Sequence, residues 1–321
     1  MAKRTLGTRL SADLGLESID RDAAAEQFEE IKAALEVHGV VVLPQQRGVT
    51  REQLHAFAMR FGPIALHIGQ GANEHPALPG MLTINDGFAE DEVPPEPGAT
   101  EFGPTWHTDF AACVRPGYAT VLHCRDTPTG AHPYERCDTM FADLVAAYDA
   151  LEPDDQVELQ RLKVRVSYRS SALYSDVFSG LYNASNSRSV RDNEPSLMKN
   201  MKHFNEAEAR EMMRSLRPDV EHPLVRNVLG RPVLFIGQAD TAFIVDSKEP
   251  DAEEVEFDVM VKGSERLRKL QTFATQPQFQ HNHIWTKDDV SRRICPGISV
   301  LISVSVRLLV VLAASTTLIL L

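Results

Sequence analysis

Cysteine is scarce in this chain, and the four copies present, Cys113, Cys124, Cys137 and Cys295, form neither a CxxC pair nor a zinc-like spacing. The opening stretch "MAKRTLGTRLSADLGLE" has no apolar h-region and so no secretory signal. Both absences favour a reducing, cytoplasmic setting. Runs of Lys and Arg are also missing, and the formal net charge is -12, which argues against a nucleic-acid backbone or an anionic membrane surface as partner. A small molecule is the better expectation. Histidine is absent from the whole stretch after His283, an absence that matters below.

What is present suffices for a folded domain: 321 residues, 43% of them hydrophobic, bury a sizeable core. "DAAAEQFEEIKAALEVHG" spaces Ala24, Phe28, Ile31, Ala34 and Leu35 as one face of a helix and stops at Gly39. "VVVLP", Val40 to Pro44, is a continuous apolar run suited to a strand buried on both faces. "TREQLHAFAMRFG" predicts a second helix, with Thr50 as N-cap, Gln53 three residues on and Gly62 as the stop. Between Gly69 and Gly103 the Pro/Gly/acid-rich composition predicts a loop, either a lid or a surface excursion.

From Trp106 onward, short strand-like runs take over: "GYATVLHCR", "LKVRVSYR", "RPVLFIG" and "HNHIW". They predict a β-sandwich or barrel. "DTMFADLVAAYDAL" reads as the helical exception, with Phe141, Leu144, Val145, Tyr148 and Leu151 on one side. Residues 170–217 lack a period and read as an insertion. With no internal repeat, the expected organisation is one domain over residues 1–296, followed by an apolar tail over 297–321.

Within "TWHTDFAACVRP", Thr105 to Pro116, His107 and Asp109 lie two residues apart in a segment compatible with a strand, where alternate side chains share a face. Imidazole and carboxylate on one face suit a divalent first-row metal, and with one more His they make the facial triad of non-haem Fe(II) oxygenases. An isolated H-x-D is also common as a surface hydrogen-bonding pair.

The order of the surrounding segments resembles the TauD/TfdA (taurine/2,4-D dioxygenase) family of Fe(II)- and 2-oxoglutarate-dependent oxygenases. The resemblance rests on His38 to Pro44, Phe61 to Ile64, "WHTD" at Trp106 to Asp109, Asp138 to Leu151, "EHPLVRNVLGRPVLFIG" at Glu221 to Gly237, and "HNHIWTKDDV" at His281 to Val290. It implies a mainly β, α+β fold with flanking helices, the double-stranded β-helix or jelly roll of the clavaminate synthase type. His107 and Asp109 would be the first two iron ligands. Thr139 would help hold a carboxylate of 2-oxoglutarate, against the plainer alternative that it N-caps the following helix. His67 falls at a substrate-pocket position, against the alternative of a core histidine. Gln70 and Gly103 replace residues of taurine-cleaving members, so taurine is doubtful as substrate. No side chain is given a catalytic role of its own; the implied cofactor is Fe(2+), with 2-oxoglutarate as cosubstrate and O2 as co-reactant.

After Val290 the resemblance breaks. The family pattern there supplies a distal His and, about ten residues later, an Arg for 2-oxoglutarate, whereas this chain continues "SRRICPGISVLISVSVRLLVV". His281 and His283 precede the motif's Trp and belong to the strand leading in; Arg307 has no distal His to be counted from. Ile298 to Leu321 is long enough to cross a bilayer, but Arg307 at its centre costs about 2.5 to 3.5 kcal/mol on insertion scales. Three explanations stand: a tail anchor, substitute core strands, or translation out of frame or through an intron. The leading expectation is an Fe(II)/2-oxoglutarate dioxygenase acting on a small, anionic organic substrate, inactive if the third ligand is truly missing. The alternative is a non-catalytic small-molecule-binding or tail-anchored protein on the same scaffold; a metal-dependent hydrolase or isomerase on a cupin-like barrel is more distant. Homo-oligomerisation is left open, and membrane contact is confined to residues 298–321.

Overall fold

The computed structural model describes residues 5–10, 23–64, 77–84, 106–127, 138–166, 219–237, 242–245, 265–294, 298–302 and 307–314. His67, Gln70, Gly103 and the 170–217 segment lie outside them. The chain builds a six-stranded sheet first. Strand β1 (Thr8–Arg9) runs parallel to β2 (Val40–Leu43), and the sheet order is β1-β2-β12-β4-β14-β3, with β3 at Met81–Ile84, β4 at Gly117–Asp126, β12 at Val290–Ile294 and β14 at Arg307–Ala314.

Helix α1 (Ala23–His38) and helix α2 (Arg51–Met59) cover one face of this sheet. The α1 spacing buries Phe28, Ile31 and Leu35 against Val41, Leu43, Val121 and Val290. Each fully buried side chain of this kind contributes about 1.5 to 3 kcal/mol. Gly39 ends α1 in the left-handed region (φ 72°), its N–H donating to the Leu35 carbonyl at 2.7 Å, a turn that costs a glycine nothing. Thr50 caps α2 as expected: Gln53 N donates to its hydroxyl at 3.2 Å and its own N donates to the Gln53 carboxamide at 2.8 Å. All four residues of β2 are fully buried, because alternate side chains serve the helix-covered face and the interior.

Three smaller sheets complete the β structure. They have the orders β11-β5-β13, β10-β6-β7 and β8-β9. Their strands are β5 (Asp138–Asp143), β6 (Lys163–Val166), β7 (Val220–Pro223), β8 (Val225–Val228), β9 (Arg231–Leu234), β10 (Ala242–Val245), β11 (Gln280–Ile284) and β13 (Ile298–Ile302). A second core packs β6, β9 and β10 against helices α3 (Leu144–Asp149) and α5 (Glu265–Ala274) through Leu144, Val164, Leu234, Ile244 and Leu267. Helix α4 (Pro153–Leu159) follows α3.

Three expectations need correction. "DTMFADLVAAYDAL" is not one helix: its first six residues are strand β5, paired on both sides, and only Leu144–Asp149 is helical. Tertiary pairing overrides a spacing that mimics a helix face. The 69–103 stretch is not all loop, since Met81–Ile84 pairs antiparallel with β14. The tail, finally, enters two of the four sheets: β13 pairs with β5, and β14 lies between β4 and β3. No helix among the described residues is long and apolar enough to cross a membrane.

Candidate functional site

His107 and Asp109 do not lie on a strand. His107 forms a single bridge, and the residues after it turn sharply: Phe110 takes φ 56°, Ala111 N donates to Thr108 O at 3.3 Å and Cys113 N to Phe110 O at 2.9 Å. The turn still brings the two side chains together, His107 Nε2 standing 3.3 Å from Asp109 Oδ1 with 16% and 15% of each side chain exposed. A largely buried pair of one nitrogen and one oxygen donor matches two of the three protein donors of a facial triad for a divalent first-row metal.

Four distant elements hold that turn. Gln271 of α5 donates to the Trp106 carbonyl at 3.0 Å, and Thr108 N donates to the Gly237 carbonyl, just after β9, at 3.2 Å. His222 of β7 bonds the Ala111 carbonyl through Nε2 at 3.0 Å, which requires the proton on that nitrogen. Burial and the Arg226 guanidinium push the His222 imidazole down to about 4, against the Ala111 and Cys113 carbonyls, so it stays neutral in the folded chain. Thr120 of β4 donates its hydroxyl to Asp109 Oδ2 at 2.6 Å. That bond orients the carboxylate through Oδ2, with Oδ1 facing His107.

Thr139 is fully buried in β5, opposite His283 on one side and Ile302 on the other. It is not the N-cap of α3. Asp143 fills that role, accepting from Val145 N at 3.0 Å and Ala146 N at 3.2 Å. The Thr139 hydroxyl instead accepts the indole N–H of Trp285 at 2.8 Å. Its own hydrogen has no acceptor among the described residues, although a buried donor is costly to leave unused. An unspent, buried O–H is suited to a carboxylate oxygen.

His283 is engaged elsewhere. Its Nε2 stands 3.4 Å from Asp289 Oδ2, and Asp289, wholly buried, also accepts from Gln45 N and Thr286 N at 3.3 Å and lies 3.5 Å from Arg9. Burial raises the Asp289 carboxyl, but the His283 imidazole beside it and the bonds from Thr286 and Gln45 outweigh it and hold the group below its ordinary value. His281 stacks on Phe141. Among the described residues no trio of His, Cys, Asp or Glu is arranged to hold a metal. The donors therefore fit two positions of a facial triad, and no histidine after His283 can supply the third. Arg307 opens β14 opposite Asp126.

Thr120, His222, Gln271 and Trp285 were not read from sequence as site residues. His222 and Trp285 lay inside quoted segments, "EHPLVR" and "HNHIW", yet nothing local ties them to the H-x-D turn or to Thr139.

Another buried histidine bears on stability. His123 of β4 has no hydrogen-bond partner at either ring nitrogen among the described residues, and burial together with Arg125 lowers it to about 4 despite the nearby Asp288. Folded, it is neutral; unfolded, it protonates below its ordinary value of 6.5. The unfolded chain thus binds more protons between about pH 6.5 and 4, and stability falls as pH drops through that window, by up to about 3 kcal/mol from this group. Urea melts of His123→Leu from pH 7 to 4 are expected to show a shallower acid loss than wild type; parallel pH profiles would show that His123 does not contribute.

Comparison with known proteins converges on one family. A family model described as taurine catabolism dioxygenase TauD, TfdA family matches residues 4–291, ending at the start of β12. Pentalenolactone F synthase of Streptomyces arenae is 25% identical over 290 residues, covering 88% of this chain and 83% of that one. The alpha-ketoglutarate-dependent 2,4-dichlorophenoxyacetate dioxygenase of Cupriavidus pinatubonensis is 26% identical over 288 residues, covering 86% and 83%. Among solved structures, AAD-2 in complex with Mn(II) and N-oxalylglycine superposes with TM-score 0.66 at 20% identity over 98% of this chain and 96% of that one. A taurine dioxygenase from Burkholderia xenovorans gives 0.62 at 20% over 97% and 86%. At that identity the structural likeness speaks for a shared fold.

Proposed function

Because this chain belongs to the TauD/TfdA family of Fe(II)- and 2-oxoglutarate-dependent dioxygenases, we propose that it is itself such an enzyme, oxidising a C–H bond of a small, anionic organic substrate. His107 and Asp109 hold the iron, Thr139 binds a carboxylate of 2-oxoglutarate, and His67 belongs to the substrate pocket. The sheets form a double-stranded β-helix. The observation that carries this reading is the convergence of His107 and Asp109 at 3.3 Å on a turn braced from four elements. A substrate carboxylate is favoured by the 2,4-dichlorophenoxyacetate named for one relative.

Bound iron would supply the oxygen chemistry, with 2-oxoglutarate consumed to succinate and carbon dioxide. The chain's own task is preorganisation: Thr120 orients the Asp109 carboxylate through Oδ2, and His222 and Gln271 fix the backbone on either side. The absence of histidine after His283 supports the second reading, a binding protein on the same scaffold without turnover. Anaerobic addition of Fe(II) and 2-oxoglutarate separates them. The enzyme is expected to give the visible charge-transfer band of the iron chelate and, on admission of air with substrate, succinate. Absence of both band and succinate would sink the enzyme reading.

A further inference from the structure

We infer that Trp285 is a positioning residue for the carboxylate-binding hydroxyl, fixing the direction in which Thr139 donates; this rests on Thr139 being a 2-oxoglutarate contact. A threonine hydroxyl has one hydrogen and two acceptor sites, whereas an indole N–H only donates. With Trp285 Nε1 at 2.8 Å, one acceptor site is taken and the hydrogen must point away from the indole. Thr139 is fully buried and Trp285 only 3% exposed, so water does not compete for either group. A buried indole N–H that merely needed satisfying would be served as well by a carbonyl, which has no hydrogen to direct. Pairing it with a hydroxyl turns a rotor into a fixed donor.

Trp285 is itself held in place. Its ring meets the His283 imidazole edge to face, with centroids 4.5 Å apart and planes at 78°. His283 in turn lies against Asp289, which is pinned by the Gln45 and Thr286 backbone. A brace thus runs from the start of β12 through β11 to the Thr139 side chain. Removing the indole N–H frees the hydroxyl to rotate towards other acceptors, and part of each rotation no longer serves the ligand.

The test is calorimetric titration of 2-oxoglutarate into the full chain with Mn(II), together with titration of Mn(II) alone. Thr139→Val and Trp285→Phe are each expected to weaken 2-oxoglutarate by roughly 10- to 100-fold, the scale of one hydrogen bond to a charged group. The double variant is expected to be no weaker than Thr139→Val, because the indole acts only through the hydroxyl. Affinity for Mn(II) alone, set by His107 and Asp109, is expected to be unchanged in all three. If Thr139→Val weakens the cosubstrate and Trp285→Phe does not, the role of Trp285 is refuted while Thr139 stands. If neither matters, or the wild type binds no 2-oxoglutarate, the Thr139 reading falls and this inference with it. A parallel loss of Mn(II) affinity in Trp285→Phe would make Trp285 a packing residue and overturn the inference. Should Trp285→Phe fail to fold, β-(3-benzothienyl)alanine at position 285, which keeps the shape and lacks the N–H, must show the same loss; undiminished affinity there overturns the inference too.

Discussion

Asp109→Asn is expected to lower the affinity of the chain for Mn(II) by on the order of 100-fold or more and to abolish any succinate formation, with little change in thermal stability. The substitution keeps the shape of the side chain and its bond from Thr120, which stands at 2.6 Å, but removes the negative charge from the oxygen that faces His107. With only two protein donors brought together among the described residues, each carries a larger share of the affinity than in a complete triad. Thr120→Val should fall between Asp109→Asn and wild type, at roughly 10- to 100-fold, since it removes the partner that orients the ligand without removing the ligand. Titration of Mn(II) followed by electron paramagnetic resonance gives the order directly. Equal affinity of wild type and Asp109→Asn would mean that the 3.3 Å pair is only a surface contact between a histidine and a carboxylate.

The part of this site that could be read in the sequence is the part whose partners are neighbours in the chain. His107 and Asp109 are two residues apart, and Thr50 and Gln53 three, so each pair is visible locally, although the H-x-D pair persuades only together with the co-linear segments around it. The bonds that hold the site join Trp106 to Gln271, Ala111 to His222 and Thr139 to Trp285, across 165, 111 and 146 residues. No local pattern encodes such pairings. Even the resemblance to a family delivered Thr139 as a point without its Trp285 partner. The error over Asp138–Asp143 has the same origin: Phe141, Leu144, Val145 and Tyr148 recur at helical spacing, but the backbone bonds of the first six residues are claimed by β11 and β13. Local propensity is a weak prior wherever two neighbouring strands can satisfy the backbone. Helix α5, which supplies Gln271, does carry a local signal, with Leu267, Leu270 and Ala274 buried at spacings of three and four, but nothing in that spacing ties it to the H-x-D turn.

Deleting residues 297–321 is expected to abolish cooperative folding, which gives the apolar tail a role opposite to that of a removable anchor or an accidental extension. The deletion takes away β14 from between β4 and β3, and β13 from the flank of β5. Ala119, Val121, Leu122 and Cys124 of β4 are buried and paired with β14 from Leu308 to Ala313, so the loss leaves a line of backbone groups without a ladder on that side. At about 1 to 3 kcal/mol for each buried group left unsatisfied, a few such losses equal the roughly 5 to 15 kcal/mol that holds a whole domain together. Strand β3 loses its one neighbour in the sheet order as well. A milder form of the test is Val310→Pro, which keeps the chain length but places a residue lacking an N–H in a strand paired on both sides, opposite Leu122 and Leu82. Circular dichroism during urea unfolding should show no transition for the deletion and a midpoint far below wild type for Val310→Pro. A tail that merely tethers the protein, or follows from a shifted reading frame, predicts the reverse: both variants would unfold at the wild-type midpoint, and the deletion would be the more soluble of the two.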